Sequence, residues 1–150
     1  MAPIKRAKEL VTFSKEHHDG LLLVWKIRQG IRKQVVPQRI ASFVQWFWEH
    51  HLDQHFRREE ELLPAVLNAD HPMIRRMMDE HAQIRQALDD LVTPTGLEKF
   101  AQLLDDHIRF EERILFQEIE NAASPQQLQH IGEALADESA CPQWTDEFWK

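Results

Sequence analysis

The sequence predicts an all-α chain, an up-down-up-down four-helix bundle with a short extra helix towards its C-terminal end. Three observations predict it. Apolar residues recur with a period near 3.6 in four long segments, the pattern of helices that each bury one face. No run alternates apolar and polar residues, so no strand is expected. Breaks containing Pro or Gly separate the segments and keep the connections short, which makes successive helices antiparallel neighbours.

The first segment carries Leu10, Phe13, Leu21, Val24, Ile27 and Ile31 on one face, and Gly30 is expected to close it. Pro37 opens the second, which carries Ala41, Val44, Trp48, Leu62 and Val66, with Pro64 near its end. Asn68-Ala69-Asp70-His71-Pro72 reads as a turn with a helix cap at Asn68 or Asp70. The third segment carries Ile74, Met77, Met78, Ile84, Leu88 and Leu91, with the two methionines read as core. Thr93-Pro94-Thr95-Gly96 separates it from the fourth, which carries Phe100, Leu103, Leu104, Ile114 and Leu115. Ser124-Pro125 starts the short fifth helix, expected at about 125–137. Trp144, Phe148 and Trp149 in the tail either pack on the bundle or meet a partner, and packing is favoured. One domain, 1–150, is expected, with the bundle at about 4–122 and the last helix and tail at about 125–150.

Composition narrows the chemistry. With 150 residues the chain can bury a core without disulfides, and its single cysteine, Cys141, rules out an internal one. Only 4 glycines are present, and no phosphate-binding glycine motif occurs. A net charge of −7 argues against nucleic acid, and no apolar run is long enough to cross a membrane, so a soluble, cytoplasmic protein is expected. The 9 histidines are what is over-supplied.

Positions at −7, −4, +4 and +7 share a helix face with a central residue. His17 has Leu10, Phe13, Leu21 and Val24 there. His55 has Trp48, His51, Glu59 and Leu62; His81 has Ile74, Met77 and Leu88 at three of the four; His107 has Phe100, Leu103, Glu111 and Ile114. Each core-facing stripe thus carries a histidine midway, and two carry a glutamate one turn later. The second and fourth segments share the pattern His-x-x-x-Glu-Glu-x-apolar-apolar, at His55 and His107, and Glu16-His17 echoes Glu80-His81. The bundle reads as two related hairpins.

Any one of these histidines alone reads as a core histidine with ordinary hydrogen bonds. Four on converging stripes, with two carboxylates whose burial would cost several kcal/mol unpaired, read as a metal site. Six nitrogen and oxygen ligands are too many for one tetrahedral zinc. They suit two ions bridged by Glu59 and Glu111, with an open coordination position, and the ligand set favours iron, with manganese or zinc as substitutes. His17 is favoured over its neighbour His18, which also has an apolar side at Leu21, Leu22 and Trp25. His51, on the stripe of His55, reads as a histidine near the bundle end, with a place behind the ligands or as an extra ligand as the alternatives; His50, His71 and His130 read as solvated, and Glu60, Glu61 and Glu112 as surface charge.

Glu16-His17-His18, His55-x-x-x-Glu59-Glu60, Glu80-His81 and His107-x-x-x-Glu111-Glu112 together resemble the hemerythrin-like, or HHE cation-binding, domains, over roughly residues 4–122. The resemblance implies a non-haem di-iron centre with an oxo or hydroxo bridge. His17 (or His18), His55, His81 and His107 would be terminal ligands, and Glu59 and Glu111 the bridges. Two departures from oxygen-carrying hemerythrins stand out: Arg85 occupies the place of a further histidine, and the last carboxylate is a Glu at +4 rather than an Asp at +5. The chain is therefore similar to the four-His, two-Glu bacterial branch. That branch implies an open position for O₂, nitric oxide or peroxide, in sensing, binding or iron handling rather than reversible O₂ carriage, and a binding protein is favoured over an enzyme. The competing readings are a di-iron oxidase or peroxidase and a metal-free helical interaction module. Ferritin-like enzymes carry Glu-x-x-His, which is absent here.

Overall fold

The computed structural model describes residues 6–136 and 143–150. The helices are α1 (Val11–Arg32), α2 (Pro37–Phe47), α3 (Asp53–Leu62), α4 (Pro64–Leu67), α5 (Pro72–Ala87), α6 (Pro94–Phe110), α7 (Phe116–Ala122) and α8 (Pro125–Ala134). A 3-10 turn, Lys8–Leu10, leads into α1. The four rods of the bundle are α1, α2 continued by α3, α5, and α6 continued by α7; no strand occurs among the described residues. The beginning of the expected bundle, the end of the expected fifth helix and Cys141 lie outside the described residues.

Proline sets the starts. Pro37, Pro64, Pro72, Pro94 and Pro125 each occupy the first position of a helix, where the missing N–H breaks no helical bond and the fixed φ is already helical. Thr93 caps α6 by accepting from the Gly96 N–H at 3.0 Å, and Ser124 and Gln127 form a reciprocal capping box on α8. The cap of α5 is neither Asn68 nor Asp70. Asn68 instead adopts φ 75° where α4 ends, and His71 Nδ1 accepts from the Met73 N–H at 3.1 Å. His71 is thus half-buried and engaged rather than solvated. Gly30 does not end α1 either: it lies inside the helix, buried, where Ile40 and Phe148 press so close that a Cβ would meet both.

Two breaks in helical pitch escape the period-3.6 reading. Trp48–Leu52 and Glu111–Leu115 are π turns, joining α2 to α3 and α6 to α7. A π turn inserts one residue, so the buried stripe moves one position along the sequence. That explains a correction: Ile114, expected in the core, is 43% exposed, whereas Leu115 and Phe116 are fully buried. Met78 is likewise 43% exposed, and only Met77 of that pair enters the core.

The core is in two parts. One holds Leu23, Ile27, Phe43, Val44, Phe100 and Leu104, and the other holds Leu10, Phe13, Leu63, Met77, Leu115 and Phe116. Burial of each such side chain contributes about 1.5–3 kcal/mol. The tail packs on the first part, with Phe148 buried and Arg39 donating twice to Asp146, at 2.8 and 2.5 Å. The buried polar and charged residues among those described are six: His17, His55, Glu59, His81, His107 and Glu111.

Candidate metal centre

Every rod delivers one histidine. α1 carries His17, α3 carries His55, α5 carries His81 and α6 carries His107. Glu59 follows His55 by one turn of α3, and Glu111 is the first residue of the second π turn. His18, adjacent to His17, points the other way and is exposed. The buried member of the pair is the one on the apolar stripe.

The six side chains converge. His17 Nε2 lies 2.8 Å from Glu111 Oε1 and 3.7 Å from Glu59 Oε2. His55 Nε2 lies 3.2 Å from Glu59 Oε1. His81 Nε2 lies 3.1 Å from Glu59 Oε1, 3.8 Å from Glu111 Oε2 and 3.0 Å from His107 Nε2. His107 Nε2 lies 3.2 Å from Glu111 Oε1. Two sets of four residues could each hold a cation: His17, His55, Glu59 and Glu111, and Glu59, His81, His107 and Glu111, with ligand atoms within 4.8 Å of one another in each. Both glutamates belong to both sets.

The donor chemistry fits a pair of cations. His55 Nε2, Glu59 Oε2 and Glu111 Oε2 are buried without a hydrogen-bond partner. Buried orphan atoms of this kind cost of order 1–3 kcal/mol each, more for a charge, and a cation bound among them removes that cost.

The opposite edge of each imidazole is also engaged. His55 Nδ1 donates to Glu16 (3.3 Å), His81 Nδ1 to Glu60 (2.7 Å), His107 Nδ1 to Glu80 (2.8 Å) and His17 Nδ1 to Glu112 (3.2 Å). Each glutamate sits on the rod before that of its histidine in chain order, and Glu112 on the last rod returns to the first. The bonds form a closed wheel that fixes ring orientation and leaves Nε2 facing inward. Glu60 and Glu112 are therefore not surface charge, as the sequence suggested; Glu61 is exposed as expected. The available signal was adjacency: in Glu16-His17, Glu59-Glu60, Glu80-His81 and Glu111-Glu112 an inner residue stands beside an outer one. Arginines brace the wheel, with Arg85 bonded to Glu60, Arg76 to Glu80 and Arg6 to Glu112. Arg85, at the position of the further histidine, thus acts on the outside of His81.

Aromatic rings close the layer. Phe56 stacks on His81 at 3.9 Å, Phe116 lies parallel to His17 at 5.2 Å, and Phe13 meets His55 edge-on at 5.3 Å. His51 is outside both four-residue sets. It sits half-buried in the first π turn against Phe47, 4.6 Å between ring centres.

Without cations, protons take their place. Burial pulls the His55 imidazole down, but the adjoining Glu59 carboxylate and the bond to Glu16 outweigh it and carry the group up to about 9. His107 reaches about 9 against the same burial, through Glu111 and Glu80. His17 is raised well above the usual histidine range, burial being outweighed by Glu111, Glu112 and Glu59. Glu59 is held well below the carboxylate range, because His55, His17 and His81 together overcome its burial.

A family model described as the hemerythrin HHE cation binding domain matches residues 9–119, which contain all six inner residues and all four outer glutamates. No curated protein and no solved structure matches the chain.

Proposed function

The chain belongs to the hemerythrin HHE cation-binding family, and we propose that it is a di-iron protein whose centre binds a small ligand, O₂, nitric oxide or peroxide, in sensing or iron handling. One ion would be held by His17 and His55, the other by His81 and His107, with Glu59 and Glu111 shared. The observation that carries this reading is the sharing. Two histidine pairs converge on the same two buried carboxylates, and three of the inward atoms have no hydrogen-bond partner. Imidazole and carboxylate together favour iron over softer-ligand metals, with manganese and zinc as substitutes. Held by these residues, iron would supply the binding of a small ligand at positions the chain does not fill.

The chain's own residues do the rest. Glu16, Glu60, Glu80 and Glu112 hold the four Nδ1 protons, so each Nε2 keeps its lone pair for a metal. Phe13, Phe56 and Phe116 restrict water beside the histidines. Metal analysis with visible absorption spectroscopy on protein from iron-replete cells tests the proposal. About two irons per chain, with charge-transfer bands that bleach on reduction and shift with nitric oxide, are expected. A folded protein that carries no iron and takes up none on addition of Fe²⁺ would overturn it.

A further inference from the structure

A cavity of about 360 Å³ lies between α1, α2 and the C-terminal tail. Its walls are aromatic. Phe43 is 5.9 Å from Trp46, 5.5 Å from Trp144 and 5.3 Å from Trp149, measured between ring centres. The tail that supplies Trp144 and Trp149 is pinned on either side of Glu147, by the Arg39–Asp146 pair and by the buried Phe148. Two exposed carboxylates, Asp19 and Glu147, also line the cavity. One cationic side chain among the described residues enters it: Lys26, whose Nζ lies 4.0 Å from the centre of Trp149 and 5.3 Å from that of Phe43.

We propose that this cavity binds a small organic cation of the alkylammonium class, quaternary ammonium included, and that Lys26 is the internal ammonium it displaces. Ring faces are electron-rich and attract a cation more strongly when water is excluded, which is how aromatic cages select quaternary ammonium groups. Lys26 already displays that preference from within the chain. An organic anion would find one ammonium and meet two carboxylates. His51 also lines the cavity, but it and the two carboxylates do not come together as a set of metal ligands. The volume lies at the small end of ligand cavities, as a compact cation requires. Burial lowers the Lys26 amine against the pull of Glu147 and Asp19, so its ammonium gains hydration when it swings out.

The test uses the full chain, choline as probe and its uncharged isostere 3,3-dimethyl-1-butanol as control, read by tryptophan fluorescence and by saturation-transfer NMR on the methyl signal. The choline nitrogen has no lone pair and the control alcohol carries the same hydroxyl, so a difference between the two does not come from ligation at the histidine centre. Saturable choline binding, tighter than that of the alcohol by about fivefold or more, is expected. Lys26→Met should tighten it by emptying the cage, and Asp19→Asn should weaken it. Equal affinity for the alcohol, no saturation with either wild type or Lys26→Met, or weaker binding after Lys26→Met would each overturn the proposal.

Discussion

Removing metal should reverse the way this protein responds to pH. In the metal-free chain His55 and His107 hold protons up to about pH 9, against 6.5 for an ordinary histidine. Each such rise contributes of order 3 kcal/mol to folding, at about 1.4 kcal/mol per pH unit. The sign follows from the direction: a group raised on folding stabilises fully below 6.5, and that stability is lost as pH climbs through about 9. The metal-free protein should therefore lose several kcal/mol of unfolding free energy between pH 6.5 and 9.5. Metal capture runs the other way, since neutral imidazole is the ligand. With His17 also raised, about three protons should leave as two metals enter at pH 7. Urea titrations of chelator-treated protein at several pH values measure the first quantity. Calorimetry of Zn²⁺ addition, in buffers of differing ionisation enthalpy, measures the second. Metal-free stability that is flat or rising over that interval, together with no proton release, would refute the assignment of His17, His55 and His107 as proton-holding ligands of one centre.

Three further outcomes follow from particular contacts. Glu80→Ala leaves the His107 Nδ1 proton without its acceptor and should weaken metal binding by about 10–100-fold with the helical circular dichroism retained. Leu115→Ala should cost about 2–5 kcal/mol in urea unfolding and Ile114→Ala less than about 0.5 kcal/mol; the opposite order would contradict the π turn. At Gly96 an added Cβ would fall 1.8 Å from the Asp90 carbonyl oxygen, so Gly96→Ala should lower the melting temperature and cost about 3 kcal/mol or more.

The inner residues could be read from the sequence because helical period and burial speak through the same positions. His17 was separable from His18 because Leu10, Phe13 and Val24 mark one stripe and all three prove buried. Where that logic failed, the helix itself departed from the period assumed. The extra residue of the second π turn rotates Ile114 into solvent and Leu115 into the core, and no residue type announces such a turn. The outer glutamates were missed for a different reason. Glu60 and Glu112 lie off the apolar stripe of their own helix and act on a neighbouring rod, so their role depends on which helices adjoin. The His71 cap was overlooked because Asn and Asp are the commoner capping residues, and both stood close by.

The wheel of carboxylates also bears on how the molecule assembles. Three of its spokes join rods consecutive in the chain, across separations of 39, 21 and 27 residues. The fourth, from His17 to Glu112, spans 95 residues and returns the last rod to the first. Closing a long loop is entropically the dearest of the four steps, and this one needs Glu112, the last of the spoke residues in the chain. A chain emerging from its N-terminus has His17, His55 and Glu59 in place while Glu111 and Glu112 are still missing, so it offers an ion an incomplete grip. If the centre takes two ions, full occupancy would report that the whole bundle has closed, and an ion caught early would sit at the half of the centre that α1 and α3 provide.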